Sequence, residues 1–507
     1  MRSSVKLSHR LILLLFAALY LVICAVSLPM FLNSGRKIVV MLFALLGAAL
    51  MVLFGFVRLP KQKNSTVLIL CVAYFAILLT AQFCLFQRGF FIGSQDARVL
   101  SLLAYDYAVY PPESISLPYF SQYSNNAFLF ALLLMLNRVF LAINPALTME
   151  QCTFFLCMVQ CALAAATGIL SCTVLTRQLR LRRYIAVFCL LYTLFVSFSP
   201  WMMIPYSDGF SLLLPVVALC LYLLSRKAGV KCKATSWMAI GLLMGLSMLI
   251  KPQAAVMCIA IVIMEAIDLL RPFRWKRLLA LVLCIALTAI MVMVPLKQAV
   301  LSANRIELDP EQDFGFTHYV MLGMNPETSG QFNQRLYELS AGAPTKAERK
   351  QAQLAEINRS LTHYAQNPAD IWRVMRDKLL VTFGDGTLCW TGDWVAYECS
   401  EPSLSQRFLR VFRDVKAPRW PMVSATETAL WLTVLLLALL CPLAAWQHPP
   451  LTVLPLSLLG LALFELLFEA GGRYLFGSVP LFLLSAVMAL DALAAIIKRK
   501  LTPTDNP

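Results

Sequence analysis

The chain has 507 residues, of which 60% are hydrophobic and 14% are charged. Soluble proteins carry roughly 25% charged residues, and a single soluble core rarely exceeds about 250–300 residues. The composition therefore excludes a soluble enzyme, a disordered protein and a nucleic-acid-binding domain. It predicts an all-α polytopic membrane protein whose surroundings are the lipid bilayer. The net charge of +16 does not indicate a nucleic-acid partner, because the positions of the charges matter more than their sum.

Twelve apolar segments are predicted to cross the membrane, since helices of about 17–25 apolar residues span a bilayer. They are 11–31, 38–57, 66–87, 152–174, 184–204, 210–225, 236–250, 254–269, 278–298, 428–446, 451–468 and 474–496. A thirteenth segment, 127–143, is apolar but contains Asn137 and Arg138. The first run is long for a secretory signal, and no A-x-A cleavage site follows it, so we expect a retained helix.

Basic residues indicate the orientation, because Lys and Arg collect in cytoplasmic loops. Six basic loops fall on one side of the membrane only if 127–143 does not span it; they lie at 2–10, 58–63, 177–183, 226–233, 271–277 and 498–500. We therefore predict that 127–143 is an interfacial or re-entrant helix inside a long outer loop, 88–151. Both termini are then cytoplasmic.

The chain divides into three predicted parts. Residues 1–298 form an N-terminal transmembrane module with the outer loop 88–151, residues 299–427 form an extracytoplasmic domain, and residues 428–507 hold the last transmembrane helices and a short cytoplasmic tail. The outer domain is polar and is expected to be mixed in structure, with a charged helix at 345–366. Cys389 and Cys399 share this domain, where a disulfide is allowed, but the sequence leaves their pairing open.

Nothing in the sequence predicts a metal site. There is no CxxC, no HExxH and no zinc-ligand spacing, and the chain has only four His. No cofactor is predicted; a divalent cation is compatible with the chemistry below, but no motif indicates one. The sequence also shows no internal repeat, which weighs against a transporter.

Two acids stand at predicted outer ends of helices. Asp96 follows Ser94 ahead of an amphipathic stretch, so it either offsets the helix dipole or acts as a general base at the mouth of a cavity. Asp106 competes for that role, but ten residues further along a helix it faces elsewhere. Asp208 either caps the helix 210–225 or points into the same cavity.

Two cations stand at other outer tips. Lys251 joins segments of fifteen and sixteen residues, which reach about 22–24 Å and fall short of the ~30 Å membrane core. It is therefore expected below the outer surface, where it either snorkels outwards or meets an anion. Arg473 follows two glycines and is either an interfacial anchor beside Glu469 and Tyr474 or a clamp for phosphate.

Together the two acids and two cations indicate one cavity at the outer leaflet. This set suits the attack of a hydroxyl on a lipid-linked phosphate sugar. A carboxylate takes the proton, and the cations hold the leaving phosphate.

The layout resembles the GT-C superfamily of membrane glycosyltransferases, in particular its protein O-mannosyltransferase and lipid A aminoarabinose transferase branch. The resemblance covers most of 66–300 and 428–496. It rests on five stretches in the same order along the chain: Ser94-Gln95-Asp96, Tyr119 to Asn126, Pro205 to Asp208, Leu249 to Pro252, and Glu469 to Tyr474.

The resemblance implies a polyprenyl-phosphate sugar as donor, inversion at the anomeric carbon, Asp96 as catalytic base and Asp208 as the second acid. Donor phosphate contacts are expected from Lys251 and Arg473. The same stretches mark the supporting residues: Tyr119, Tyr123, Asn126, Glu469 and Tyr474. Eukaryotic-type mannosyltransferases have paired acids in the first loop, whereas Gln95-Asp96 offers one, which argues against protein mannosylation. The Tyr119 to Asn126 stretch looks more like Gram-positive members.

The expected function is thus an inverting hexosyltransferase at the outer face of the cell membrane, acting on a cell-envelope glycan, lipid or protein. One alternative is a multi-helix transporter or lipid flippase, whose site would lie near the bilayer midplane. Another is a cell-wall glycan polymerase or ligase, which shares lipid-linked donors. The sugar, the acceptor and the oligomeric state are not predicted.

Overall fold

The computed structural model describes residues 2–33, 37–57, 63–87, 95–226, 230–270, 273–390 and 418–501. The α-helices within these ranges are numbered in chain order: α1 Arg2–Asn33, α2 Lys37–Phe54, α3 Asn64–Phe86, α4 Gln95–Val109, α5 Pro118–Gln122, α6 Ala127–Ile143, α7 Met149–Gln178, α8 Tyr184–Tyr192, α9 Ser207–Phe210, α10 Leu213–Ser225, α11 Val230–Ile250, α12 Val256–Leu270, α13 Trp275–Met291, α14 Lys297–Ala303, α15 Gly315–Gly323, α16 Gln334–Ala341, α17 Lys346–Gln366, α18 Pro368–Phe383, α19 Trp420–Leu439, α20 Pro442–Gln447, α21 Val453–Leu467 and α22 Val479–Leu501. The described part of the chain has no β-strand, and its one bridge joins Ile115 to Ile306.

Ten helical segments of the described chain are long and apolar enough to cross a membrane. Two shorter apolar helices, Leu42–Phe54 and Tyr184–Ser197, match the remaining predicted spans. Because a bilayer offers no partner for backbone polar groups, helices satisfy those groups within each span. The protein is a polytopic all-α membrane protein, as the composition predicted.

Two predicted spans show how the structure departs from the sequence prediction. The segment 184–204 is not one helix: it changes from α-helix to a π-helix at Thr193–Ser197 and then to a 3₁₀-helix at Pro200–Met203. Pro200 lacks a backbone N–H and cannot continue the helix. The second difference is that α11 begins at Val230 rather than near 236. Its 21 residues reach about 31 Å. The prediction that this helix is too short to cross the membrane is therefore wrong.

The helix α6 is tied at two points to the segment that follows α14. Just before it, Ser124 Oγ donates a hydrogen bond to Asp313 Oδ1 at 2.9 Å. Near its other end, Arg138 Nη1 donates to Asn304 Oδ1 at 2.8 Å. Both partners lie in the polar segment that follows α14. That 127–143 does not span the membrane stays a prediction.

The last helix occupies the centre of the bundle. Of the apolar window in the span Gly472–Lys500, 78% is buried, more than in the other long spans. Aromatic rings join it to three other helices: the Phe482 ring centre lies 5.2 Å from that of Trp431 and 6.3 Å from those of Tyr20 and Phe383. A residue at the beginning of this span, such as Arg473, is therefore placed among other helices rather than at the rim.

The outer domain is helical where it is described, so the expectation of a mixed structure is wrong for 299–390. Between 299 and 390 it consists of α14 to α18, turns and the single bridge to Ile115, and the expected charged helix is α17. Residues 391–417 lie outside the described part of the chain. Cys399 is among them, so the pairing of Cys389 with Cys399 stays untested.

Candidate functional site

An ion pair between Lys251 and Asp208 lies at the centre of the site. Lys251 Nζ donates a hydrogen bond to Asp208 Oδ1, and the two side chains are only 6% and 2% exposed. Lys251 stands in extended backbone after α11, and Pro252 starts the 3₁₀ turn that follows. The snorkelling alternative for Lys251 is therefore wrong, because its ammonium points inwards to an acid.

Asp208 lies within the four-residue helix α9, not at the N-terminus of the longer helix that begins at Leu213. Its Oδ2 lies 3.8 Å from Arg473 Nε. The alternative that Asp208 caps the helix is thus not what the structure adopts. Its carboxylate instead faces two cations that come from two other connections between spans.

Arg473 is surrounded by aromatic rings. Its guanidinium carbon lies 5.4 Å from the ring centres of Tyr206 and Tyr474 and 5.9 Å from that of Trp201. These distances fall within the range of cation–π attraction. Lys251 Nζ also lies 5.2 Å from the centre of the Tyr474 ring. Arg473 is therefore fixed in the site and is not an interfacial anchor.

Gly472 allows the backbone to approach a cysteine closely. Its N–H donates to Cys389 Sγ at 3.2 Å, and a Cβ at this position would lie 2.8 Å from the same sulfur. Any other residue at this position would require the Cys389 side chain or the backbone to move. This contact ties the start of the last span, and with it Arg473, to the end of the described outer domain.

Asp96 is linked to this centre through Tyr206. The Tyr206 hydroxyl donates to Asp96 Oδ2 at 3.3 Å. Asp96 is partly buried, so its carboxylate is not closed off from solvent. Asp106 is exposed on the same helix, and its part as a competing base stays untested. Ser94 lies outside the described residues, so its capping role stays untested.

The supporting residues from the outer loop surround Asp96. Asn126 Nδ2 donates to the Tyr119 hydroxyl at 2.8 Å, and the Tyr119 hydroxyl lies near Asp96. Burial, together with the nearby Asp96, raises the pKa of Tyr119, so this phenol keeps its proton. The Tyr123 ring packs 5.3 Å from that of Tyr119 and 5.1 Å from that of Phe314.

Glu469 completes the predicted set. It lies near Tyr474 and Arg473. Burial raises the pKa of Glu469, although Arg473 opposes the shift. All nine residues predicted for the site are therefore close to one another: Asp96, Tyr119, Tyr123, Asn126, Asp208, Lys251, Glu469, Arg473 and Tyr474.

Two charged residues near the site were missed in the sequence. Glu465 is 1% exposed within α21 and lies near Lys251, Lys378 and Gln253. An acid inside a membrane span is itself a signal of function, and this signal was available in the segment 451–468. Lys378 is 2% exposed in the outer domain, where it could not be distinguished from thirteen other basic residues in the sequence.

A separate group of side chains could hold a metal ion. Among the described residues, the sulfurs of Cys71, Cys172 and Cys189 lie within 4.8 Å of one another and are buried. The Cys172 and Cys189 sulfurs are 3.9 Å apart. Three thiolates favour a soft metal such as Cu(I) or Zn²⁺. The spacing of the cysteines in the sequence does not predict this group, because its three members come from three different helices.

The comparison with known proteins gives the family. Residues 4–494 match a family described as conserved hypothetical integral membrane protein. No curated protein and no solved structure matches the chain. Because the match covers nearly the whole sequence, the chain belongs to this family of integral membrane proteins.

Proposed function

We propose that the protein is an inverting glycosyltransferase that moves a sugar from a polyprenyl-phosphate donor to an acceptor at the outer face of the membrane. One observation carries the proposal. Asp208 lies buried between Lys251 and Arg473, and Tyr206 connects this group to the more accessible Asp96. A base and two cations thus stand within one small site.

The reaction follows from these positions. Asp96 accepts the proton of an acceptor hydroxyl, whose oxygen attacks the anomeric carbon of the donor from the side opposite the phosphate. A carbon–oxygen bond to the acceptor forms while the bond between the anomeric carbon and the phosphate oxygen breaks. The bonding electrons leave with polyprenyl phosphate, and Lys251 and Arg473 stabilise its added negative charge.

The two acids have different environments, and we assign them different roles. Asp208 is almost fully buried and is engaged by Lys251, so it orients the cations rather than accepting a proton. When a donor phosphate approaches, the same cations can contact it as well, because an ammonium has three donors and a guanidinium five. Asp96 is only partly buried, which suits a base that an acceptor must reach.

The position of the charges favours an enzyme over a transporter. Lys251 lies between two spans, and Glu469 lies between two others. Transporters place their binding sites near the bilayer midplane, whereas these residues stand at the ends of helices. A lipid-linked donor in the outer leaflet would bring its phosphate to this depth.

The proposal can be tested in cells. A strain that lacks the gene is complemented with the parent protein or with the Asp96→Asn variant at equal expression, and its envelope glycans, lipids and proteins are compared by mass spectrometry. We expect one hexose-bearing species to disappear on deletion and to return only with the parent. Restoration of that species by Asp96→Asn, or the same species in all strains, would contradict the proposal.

A further inference from the structure

Lys378 makes three hydrogen bonds with one ammonium group. Its Nζ donates to the carbonyl oxygens of Gly323 at 2.7 Å, Leu466 at 2.8 Å and Phe468 at 2.6 Å. An ammonium has three donors, so each has an acceptor. Two of these acceptors belong to the C-terminal end of α21, where unpaired carbonyls and the helix dipole favour a cation.

Other contacts join the same two parts of the molecule. Ala470 N–H donates to Gly330 O at 2.8 Å, and the Phe316 ring packs edge-on against Phe468 at 4.8 Å. Gly330 has a φ of +76°, and a Cβ there would lie 2.8 Å from Lys378 Cε. Glycine therefore leaves the space that the Lys378 side chain needs to reach its acceptors.

The segment held in this way is the loop 468–472. It carries Glu469 and leads directly to Arg473, the cation beside Asp208. Its outer side contacts α15, α18 and the turn at Gly330, all of which belong to the outer domain. A shift of the loop would therefore move Arg473 relative to Asp208.

We propose that Lys378 is a positioning residue through which the outer domain holds the loop 468–472 in the shape that directs Arg473 at the donor phosphate. The inference rests on the function proposed above and gives the outer domain a part in it. Lys378 itself does not touch the reacting atoms. It acts through the backbone carbonyls at the end of α21.

The protonation of Lys378 gives this role a pH signature. Burial lowers the pKa of Lys378 to about 8, against the opposing effect of Glu465 on α21 and Glu469 on the loop. A neutral amine has two N–H donors, so one of the three carbonyls loses its partner as the pH rises above about 8. The loop then loosens and donor turnover falls.

The first measurement does not require enzymatic activity. Amide hydrogen exchange of the full-length protein in detergent is compared at pH 7 for the parent, Lys378→Met and Arg376→Gln. Arg376 is the matched control, because it is exposed on the same helix and contacts the neighbouring Asp377. We expect faster exchange in 468–472 for Lys378→Met alone, with 346–366 unchanged.

The second measurement is turnover of a polyprenyl-phosphate hexose between pH 7 and 10. Misplacement of a binding group by about 1 Å can cost ~10²-fold in rate, so we expect Lys378→Met to lower kcat by about 10–10²-fold with a smaller change in KM. The parent should lose activity above about pH 8, and Lys378→Met should lack that step. The pH series of the parent needs no substitution and so remains informative if the variant folds poorly.

The outcomes separate the two proposals. Unchanged exchange in 468–472 in the variant overturns the positioning role. Equally faster exchange throughout 315–383 overturns it too, since Lys378 would then serve general stability. Local loosening in a protein whose parent form does not turn over the donor leaves the contact between Lys378 and the loop in place and contradicts the glycosyltransferase.

Discussion

The ion pair of Asp208 and Lys251 is buried at both partners, which makes its energetics asymmetric. Removing one partner leaves an uncompensated charge and costs about 3–5 kcal/mol, whereas replacing both with neutral groups of similar size is often neutral for stability. We therefore expect Lys251→Met to lower the free energy of unfolding by that amount. The double variant Lys251→Met/Asp208→Asn should recover most of the loss.

Unfolding in detergent measures these stabilities, and donor turnover is measured on the same preparations. The double variant should be stable but inactive, because the phosphate loses a cation. A single variant as stable as the parent would mean that the pair is not buried as described. A double variant with parental turnover would remove Lys251 from the donor site.

Arg473 and Lys251 should respond differently to an exchange of one cation for the other. A guanidinium grips phosphate with two parallel hydrogen bonds and stacks on aromatic rings, whereas an ammonium acts as a point charge. We expect Arg473→Lys to lose at least about tenfold in donor turnover although the charge is kept, since hydrogen bonds to charged groups contribute ~1.5–3 kcal/mol. Lys251→Arg should be better tolerated than Arg473→Lys.

The measurement compares donor turnover for Arg473→Lys, Arg473→Ala and Lys251→Arg in one detergent preparation. The exposed Arg376→Gln variant is the control for expression and handling. Parental activity in both Arg473 variants would show that the phosphate is held elsewhere, and the outer domain would be the next place to search.

At the scale of elements, the packing of the outer helices depends on a neutral histidine. His318 on α15 is 1% exposed, and its Nδ1 lies 2.8 Å from Ser340 Oγ on α16. Burial lowers the pKa of His318 to about 4, below its value of about 6.5 in an unfolded chain. Between these values the unfolded state binds more protons, so stability is complete above about pH 6.5 and is lost as the pH falls towards 4.

The His318→Gln variant should not lose stability in this way as the pH falls. At ~1.4 kcal/mol per pKa unit, the parent loses up to about 3 kcal/mol between pH 6.5 and 4. Amide exchange in 315–366, corrected for the intrinsic rate at each pH, measures the difference. An equally steep acid dependence in His318→Gln would show that other groups cause it.

Much of the helical architecture was predictable because apolar length alone reports a membrane span. Prediction failed where local backbone chemistry decides, as at Pro200, and where a helix continues through polar residues, as α11 does before 236. The site was predictable as a set of outer tips, since tips on one face can meet. The ion pair of Asp208 with Lys251 was not, because sequence order does not show which side chains face each other.

Glu465 and Lys378 show two different limits of the sequence. Glu465 has a usable signal, because it is a single acid in an apolar run, although the length of that run predicts only a membrane span. Lys378 has no such signal in the sequence. It is distinguished only by its hydrogen bonds to three backbone carbonyls, one from α15 and two from the end of α21. Such backbone acceptors have no residue type that a sequence can reveal.

At the scale of the whole molecule, the orientation in the membrane remains a prediction. Arg180 is exposed in a basic loop predicted to be cytoplasmic, and Lys346 is exposed on the outer domain. In intact cells, a membrane-impermeant maleimide should label Lys346→Cys and not Arg180→Cys. Peptide mass spectrometry separates these sites from the native cysteines. Labelling of Arg180→Cys from outside would contradict the predicted topology and the position of 127–143.

The central claim is that this protein cleaves the bond between the sugar and the phosphate of a polyprenyl-phosphate donor. The proposed site consists of Asp96, Asp208, Lys251 and Arg473. The most direct test is the release of free polyprenyl phosphate by purified parent protein, with Asp96→Asn and the exposed Asp106→Asn as a matched pair. We predict release by the parent and by Asp106→Asn, and a rate about 10²–10⁴-fold lower for Asp96→Asn, because an amide cannot accept the proton. Equal release by Asp96→Asn, or no release by the parent with a lipid acceptor fraction present, would contradict the account and favour a transporter.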